Sequence, residues 1–180
     1  MSSGDMLVKL YDLPEIVPGL EQLKARGIEI KRAMPHNKHR VLNYAEEVFG
    51  KAWASECDGC FSRQPVSCFI ALDGDQIVGF ACYETTALDF FGPTGVSEQY
   101  RGKGIGKALL LKCLLAMREM GYGYAIIGGV DDAEGFYAKT VNAAPIPDSF
   151  PGVYANAIGI EKSIARRAEA ERTRQHQAKE

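Results

Sequence analysis

The sequence predicts an α/β (α+β) fold, and three observations carry that expectation. Residues 68–84 read as a β-hairpin, with Cys68-Phe69-Ile70-Ala71-Leu72 leading into an Asp73-Gly74-Asp75 turn. Residues 90–96 form an apolar, strand-like run, joined by Arg101-Gly102-Lys103-Gly104-Ile105-Gly106 to an amphipathic stretch over 108–121. A short apolar run at 124–128 follows that stretch and reads as a buried strand. With 180 residues and 46% hydrophobic composition, the chain is long enough for one substantial core and short for two.

Residues 6–13 begin the chain's pattern as a short strand-like run. Pro14 then opens a weakly amphipathic segment through Leu20, Leu23 and Ala25 to Gly27, so 1–27 is expected to be an N-terminal strand–helix extension. Residues 28–33 alternate as a first core strand, which Met34-Pro35 ends because the residue before proline is pushed out of the helical region. Residues 38–53 place Val41, Tyr44 and Val48 along one side of a helix that continues brokenly toward Phe61. From this region His36, His39, Trp53 and Phe61 are available to face a substrate, with core packing or capping an equal reading for each. In the hairpin, the Asp-Gly step supplies left-handed turn geometry between β-branched and aromatic flanks.

Beyond the glycine-rich loop, Leu109, Leu110, Cys113, Leu114 and Met117 have the spacing of a wide buried helix face, and Gly121 and Gly123 punctuate its end. Residues 133–141 are expected to form a short helix, Pro145 and Pro147 a loop, and 153–158 a final strand. Residues 161–180 are rich in charge and lack a long apolar stripe, reading as a frayed helix or a disordered tail behind a main domain of 28–160.

A formal charge of -2 provides no global field to recruit nucleic acid or an anionic membrane. Arginines 166, 167, 172 and 174 alternate with Glu169 and Glu171, the pattern of a solvated or partner-facing helix. No apolar run approaches 18 residues, and the N-terminus lacks the basic and apolar segments of a secretory signal, so a cytoplasmic location is expected. The five cysteines are odd in number and scattered, as suits a reducing compartment. Cys57 and Cys60 have no second close pair to complete a tetrahedral zinc site, so chance spacing or local thiol chemistry is expected and no metal. Cys68, Cys82 and Cys113 sit in apolar patterns and read as small core residues.

The loop Arg101–Gly106 is where chemistry concentrates. Glycines at 102, 104 and 106 allow close backbone approach to a ligand, and a helix N-terminus offers unpaired N–H groups and positive dipole, a cradle for a pyrophosphate. Arg101, Lys103 and Lys107 add cations; an ordinary glycine-rich turn with a solvated basic rim is the plainer reading. The glycine spacing does not match the dinucleotide-binding fingerprint. Gly106-Lys107 is followed by Ala108 instead of the Ser or Thr of a triphosphate-binding loop.

Arg101-x-x-Gly104-x-Gly106, preceded by Val96 and Tyr100, resembles the acetyl-CoA pyrophosphate loop of the GCN5-related N-acetyltransferase (GNAT) family, and Phe136-Tyr137-Ala138-Lys139 resembles that family's Phe-Tyr-x-Lys segment. The two motifs occur in family order. The resemblance implies a GNAT-like acyl-CoA N-acyltransferase fold: a central mixed, mostly antiparallel sheet, splayed between its fourth and fifth strands and flanked by helices. It implies acetyl-CoA as co-substrate, with pyrophosphate on the backbone from Arg101 through Gly102, Lys103, Gly104, Ile105 and Gly106 to Lys107, and pantetheine along Thr94, Gly95 and Val96. It also implies Tyr137 as general acid toward the departing thiolate, with Phe136 as a packing anchor.

For the general base, Asp89 and Glu84 flank the strands concerned, and a solvated edge charge is the plainer reading of either. The expected reaction is direct attack of a primary amine, on a small molecule or a peptide, upon the thioester. The expected competitor is an acyl-CoA-binding or regulatory module without catalysis. A homodimer is plausible by resemblance. Two departures stand out: Val141-Asn142-Ala143 replaces the usual Gly-Phe pair, and Asp131-Asp132 occupies a region where many relatives carry asparagine. The acids and glycines of 128–135 read equally as a polar mouth attractive to a cationic amine or as an ordinary exposed turn, and the 148–152 loop is placed to cap such a mouth.

Overall fold

The computed structural model of the chain describes residues 4–177. A seven-stranded sheet forms its centre, in the order β2-β3-β4-β5-β6-β1-β7. The strands are β1 (Met6–Lys9), β2 (Ile28–Arg32), β3 (Cys68–Asp73), β4 (Gln76–Tyr83), β5 (Phe90–Val96), β6 (Tyr124–Ile127) and β7 (Ala144–Pro145). The helices are α1 (Val17–Ala25), α2 (Lys38–Phe49), α3 (Lys51–Asp58), α4 (Ile105–Glu119), α5 (Glu134–Val141) and α6 (Ile160–Gln177). Every strand pairing is antiparallel except β5 with β6, the pair that α4 connects as a crossover. No helix among the described residues is long and apolar enough to cross a membrane.

Two apolar layers sandwich the sheet. On one face α4 packs Leu109, Leu110, Leu114 and Met117 against Phe69, Val78, Ala81 and Phe91. Each of those α4 side chains is at most 1% exposed, and burying each stabilises the fold by about 1.5–3 kcal/mol. Leu111 and Ala116 are buried as well, beyond the face read from the sequence, because α1 and the Leu10–Asp12 turn also pack against α4. On the opposite face α2 and α3 cover Cys68, Ile70, Phe80 and Cys82.

The structure departs from the sequence reading in three places. The N-terminal run expected as an extension supplies β1, paired with β6 on one side and β7 on the other, and its alternation buries Met6 and Val8. With β1 holding the free side of β6, residues 153–158 have no partner there, and the expected strand is a 3-10 turn at Gly152–Asn156. The long helix of 38–53 divides at Gly50, whose φ of +98° breaks the helical path and starts α3 in a new direction.

The hairpin register shifts by one residue. Asp73 pairs with Gln76 and Leu72 with Ile77 next to the turn, whereas Ala71 pairs with Gly79 and Cys68 with Cys82. Val78 is therefore the extra residue of a β-bulge.

Candidate active site

β5 and β6 separate almost as soon as they meet. Their parallel pairing covers only Phe90 with Ile126 and Phe91 with Ile127; β6 then ends while β5 runs on to Val96. The wedge so opened is a cleft of about 840 Å³, with Phe91, Gly92, Pro93 and Thr94 on one wall and Ile127, Gly128, Gly129 and Val130 on the other. Tyr137 and Arg101 also line it, and Phe150, Pro151 and Tyr154 close one side, so the 148–152 segment does border the mouth.

The glycine-rich loop lies at the Arg101 end of this cleft as an exposed ledge, outside the lining itself. Gly102 and Gly104 have φ of +74° and +89°, left-handed values that an L side chain adopts only with strain, and open space surrounds the position a Cβ would take at either. Gly104 caps α4, so the first-turn N–H groups of that helix open beside the ledge. Arg101 is tied to the end of β5 by its Nε, which donates to the Val96 carbonyl at 3.2 Å. Lys103 folds back over the Tyr100 ring, 4.6 Å from its centroid, and Lys107 is exposed on α4. The Ile105 side chain is buried in the core, leaving only its backbone toward a ligand.

Along β5, the Thr94 hydroxyl donates to the Phe80 carbonyl at 3.1 Å, and Val96 packs partly buried against the α4 layer. A Cβ on Gly95 would lie 2.3 Å from Phe49 Cζ, so that glycine is required by the aromatic ring beneath it. Phe49 in turn stacks on Trp53, with centroids 5.1 Å apart and planes at 17°, and Trp53 reaches the cleft.

Tyr137, on α5, is 7% exposed, with Phe91 and Phe136 edge-on at 6.2 and 5.1 Å between centroids. Loss of solvent pushes its phenol up to about 12, so it is a neutral hydroxyl across the physiological range. Asn142, in the sequence departure noted above, ends α5 with φ of +53°, a left-handed cap that asparagine tolerates.

The two carboxylates weighed as a base lie elsewhere. Glu84 is buried behind the sheet end with its Oε2 2.6 Å from Arg63 Nη1, and Arg63 Nε also donates to the Glu84 carbonyl. Asp89 sits in the β4–β5 loop with φ of +61°; burial first, and the Glu84 charge second, raise its carboxyl above the ordinary value. Neither lines the cleft. Glu56 does, accepting a short hydrogen bond from the Thr86 hydroxyl, and Asp5 and Asp132 join it along the lining. Trp53 and Glu56 are three residues apart on α3, so helical spacing after a correctly placed helix start was the available signal for Glu56. His36 and His39 are not in the cleft, and Phe61 packs beside the α2–α3 layer.

The family model of the acetyltransferase (GNAT) domain matches residues 64–140. Among solved structures, the GCN5-related glucosamine N-acetyltransferase region of a fungal multi-domain GH3 β-N-acetylglucosaminidase superposes with a TM-score of 0.65 at 13% identity, over 81% of this chain and 20% of that one. A GCN5-related N-acetyltransferase from Sphaerobacter thermophilus gives 0.57 at 20% identity, covering 81% and 50%; one from Kribbella flavida gives 0.55 at 17%, covering 81% and 55%. The chain thus spans about half or less of the length of these structures. No curated protein sequence matches it.

Proposed function

We propose, on the match of residues 64–140 to the acetyltransferase (GNAT) domain model, that the chain transfers an acetyl group from acetyl-CoA to a primary amine by direct attack of the amine nitrogen on the thioester carbonyl. The observation that carries this reading is the convergence of the β5–β6 wedge, the left-handed Gly102 and Gly104 beside the α4 N-terminus, and Tyr137 on one cleft and its rim.

The residues divide the work as follows. Backbone N–H groups from Gly102 to Lys107 receive the pyrophosphate, where the helix end contributes about 0.3–1 kcal/mol per favourable charge and up to ~2 where partly buried. The β5 edge at Thr94 to Val96, unpaired by β6, offers its main chain to the peptide-like pantetheine arm and so aligns the thioester in the wedge. As the carbon–nitrogen bond forms and the carbon–sulfur bond breaks, the electron pair goes to sulfur, and Tyr137 donates a hydrogen bond to it. With the phenol at about 12 and a free thiol near 8.5, complete proton transfer to the thiolate would cost on the order of 5 kcal/mol. Tyr137 therefore stabilises the thiolate as a neutral donor.

For the amine side, Glu56 takes the place given to Asp89 and Glu84 by sequence reading. It faces the cleft beside Trp53, where a carboxylate attracts the ammonium form and accepts a proton as the nitrogen acylates. Asp5 and Asp132 extend the same negative lining, and the Trp53 ring adds a cation-binding face. A cationic amine is the acceptor class these groups favour. The test is calorimetric titration with acetyl-CoA alongside thiol release across a panel of amines, amino sugars and peptides. Saturable binding with amine-dependent thiol release is expected. Binding without turnover on any amine would instead make the chain an acyl-CoA-binding module.

A further inference from the structure

We propose that Cys57, Cys60, Cys68 and Cys82 form a mononuclear zinc site, a tetrathiolate centre that pins α3 to the β3–β4 hairpin. Their four Sγ atoms all lie within 4.8 Å of one another, and all four residues are buried. None is in a disulfide, and the Cys57 and Cys82 sulfurs are 3.5 Å apart. A tetrahedral zinc ion with Zn–S bonds of about 2.3 Å sets its thiolates about 3.8 Å apart, inside the span already present. An iron–sulfur cluster would interpose several atoms between its thiolates, for which this cage is too small.

The donors arrive from independent parts of the chain. Cys57 is in the last turn of α3 and Cys60 in the Gly59–Ser62 turn directly after it, a C-x-x-C spacing. Cys68 and Cys82 are cross-strand partners on β3 and β4. That partnership depends on the bulge. Continuing the register of the turn would set Cys68 opposite Ala81, and the period-two alternation of a strand would send Cys82 to the α4 face. The extra residue returns Cys82 to the face that α3 covers, where the regular alternation of β3 already places Cys68. Simple packing by small apolar residues explains burial, but it does not require four sulfurs from three segments to converge. The fifth cysteine, Cys113, packs on the other side of the sheet, where its thiol donates to the Ala81 carbonyl.

Four sulfurs and no other donor make a closed coordination shell suited to a structural ion. Binding exchanges the thiol protons for Zn²⁺ and involves no oxidation or reduction. Since α3 also carries Trp53 and Glu56 to the cleft, the ion would hold that wall against the sheet.

The experiment is metal analysis by plasma mass spectrometry of the full chain purified without chelator, with absorption spectroscopy of the cobalt-substituted protein. One zinc per chain is expected, together with the thiolate-to-cobalt charge-transfer and visible d–d bands of a tetrahedral sulfur site. Cys57→Ser and Cys82→Ser should lose zinc and those bands, while Cys113→Ser keeps both. Because the spectrum is read on the unaltered protein, misfolding of a variant does not decide the matter. Zinc far below stoichiometric after expression in zinc-supplemented medium, a cobalt spectrum without tetrahedral thiolate bands, or a Cys57–Cys82 disulfide in the intact mass would each overturn the proposal.

Discussion

Replacing Tyr137 by phenylalanine removes one oxygen and leaves its packing in place. The ring contacts to Phe91 and Phe136 persist, and the hydroxyl makes no hydrogen bond among the described residues. Folding stability at neutral pH should therefore change by less than about 1 kcal/mol. The catalytic effect should be larger, because a hydrogen bond to a charged group contributes about 1.5–3 kcal/mol, which corresponds to a roughly 10- to 150-fold loss of rate. Acetyl-CoA affinity measured by calorimetry should be unchanged, while kcat and kcat/KM from thiol release fall together, as expected of an interaction made in the transition state.

The same substitution alters alkaline stability. Folding raises the phenol from an ordinary 10.0 to about 12. The protein therefore keeps the full stability contribution below pH 10 and loses it as pH rises through 12. The loss amounts to about 2.7 kcal/mol, and the phenylalanine variant should not show it. A variant that retains kcat within about twofold of the parent would refute the assignment of Tyr137 to the leaving thiolate; a large drop in Tm at neutral pH would show the hydroxyl to be structural.

Four further substitutions probe the cleft and the residues around it. Gly104→Ala forces an L side chain into φ of +89°; it should cost about 1–2 kcal/mol in Tm measurements and weaken acetyl-CoA binding at least roughly tenfold by calorimetry. Glu56→Gln should lower kcat/KM for cationic amines about tenfold or more with little change for acetyl-CoA, whereas Glu84→Gln, which weakens the Arg63 pair, should lower Tm and leave kcat intact; the reverse pattern would restore Glu84 as the base. Gly95→Ala drives a methyl group into the Phe49 ring; the displaced Phe49–Trp53 stack should destabilise the fold by about 1–3 kcal/mol in denaturant titration and raise KM for the amine more than for acetyl-CoA.

The backbone geometry of the glycine-rich loop is legible from local signals. Gly102 and Gly104 sit between a strand and a helix, and each has the positive φ that its residue type permits. Tyr137 was found through the short motif around it, and the structure buries it in the cleft. On the opposite wall Trp53 and the 128–135 segment are legible as cleft candidates, but Glu56 and Thr86 are not, because that wall is assembled from α3, the β4–β5 loop and the 128–135 segment, which are far apart in sequence. Glu84 reads as an edge charge in the sequence because its partner, Arg63, comes from the segment before β3 and reaches it only in the fold.

By itself the sequence determined the alternation of strands and helices, the hairpin turn, the buried face of α4 and the glycine-rich turn between β5 and α4, because each is set by periodicity or backbone preference over a few residues. The tertiary structure alone decided that β1 lies inside the sheet, that Glu56 faces the cleft, and that four thiols meet. The last depends on a single residue: hairpin pattern specifies which strands pair, but the Val78 bulge sets their parity, and parity determines whether Cys68 and Cys82 share a face.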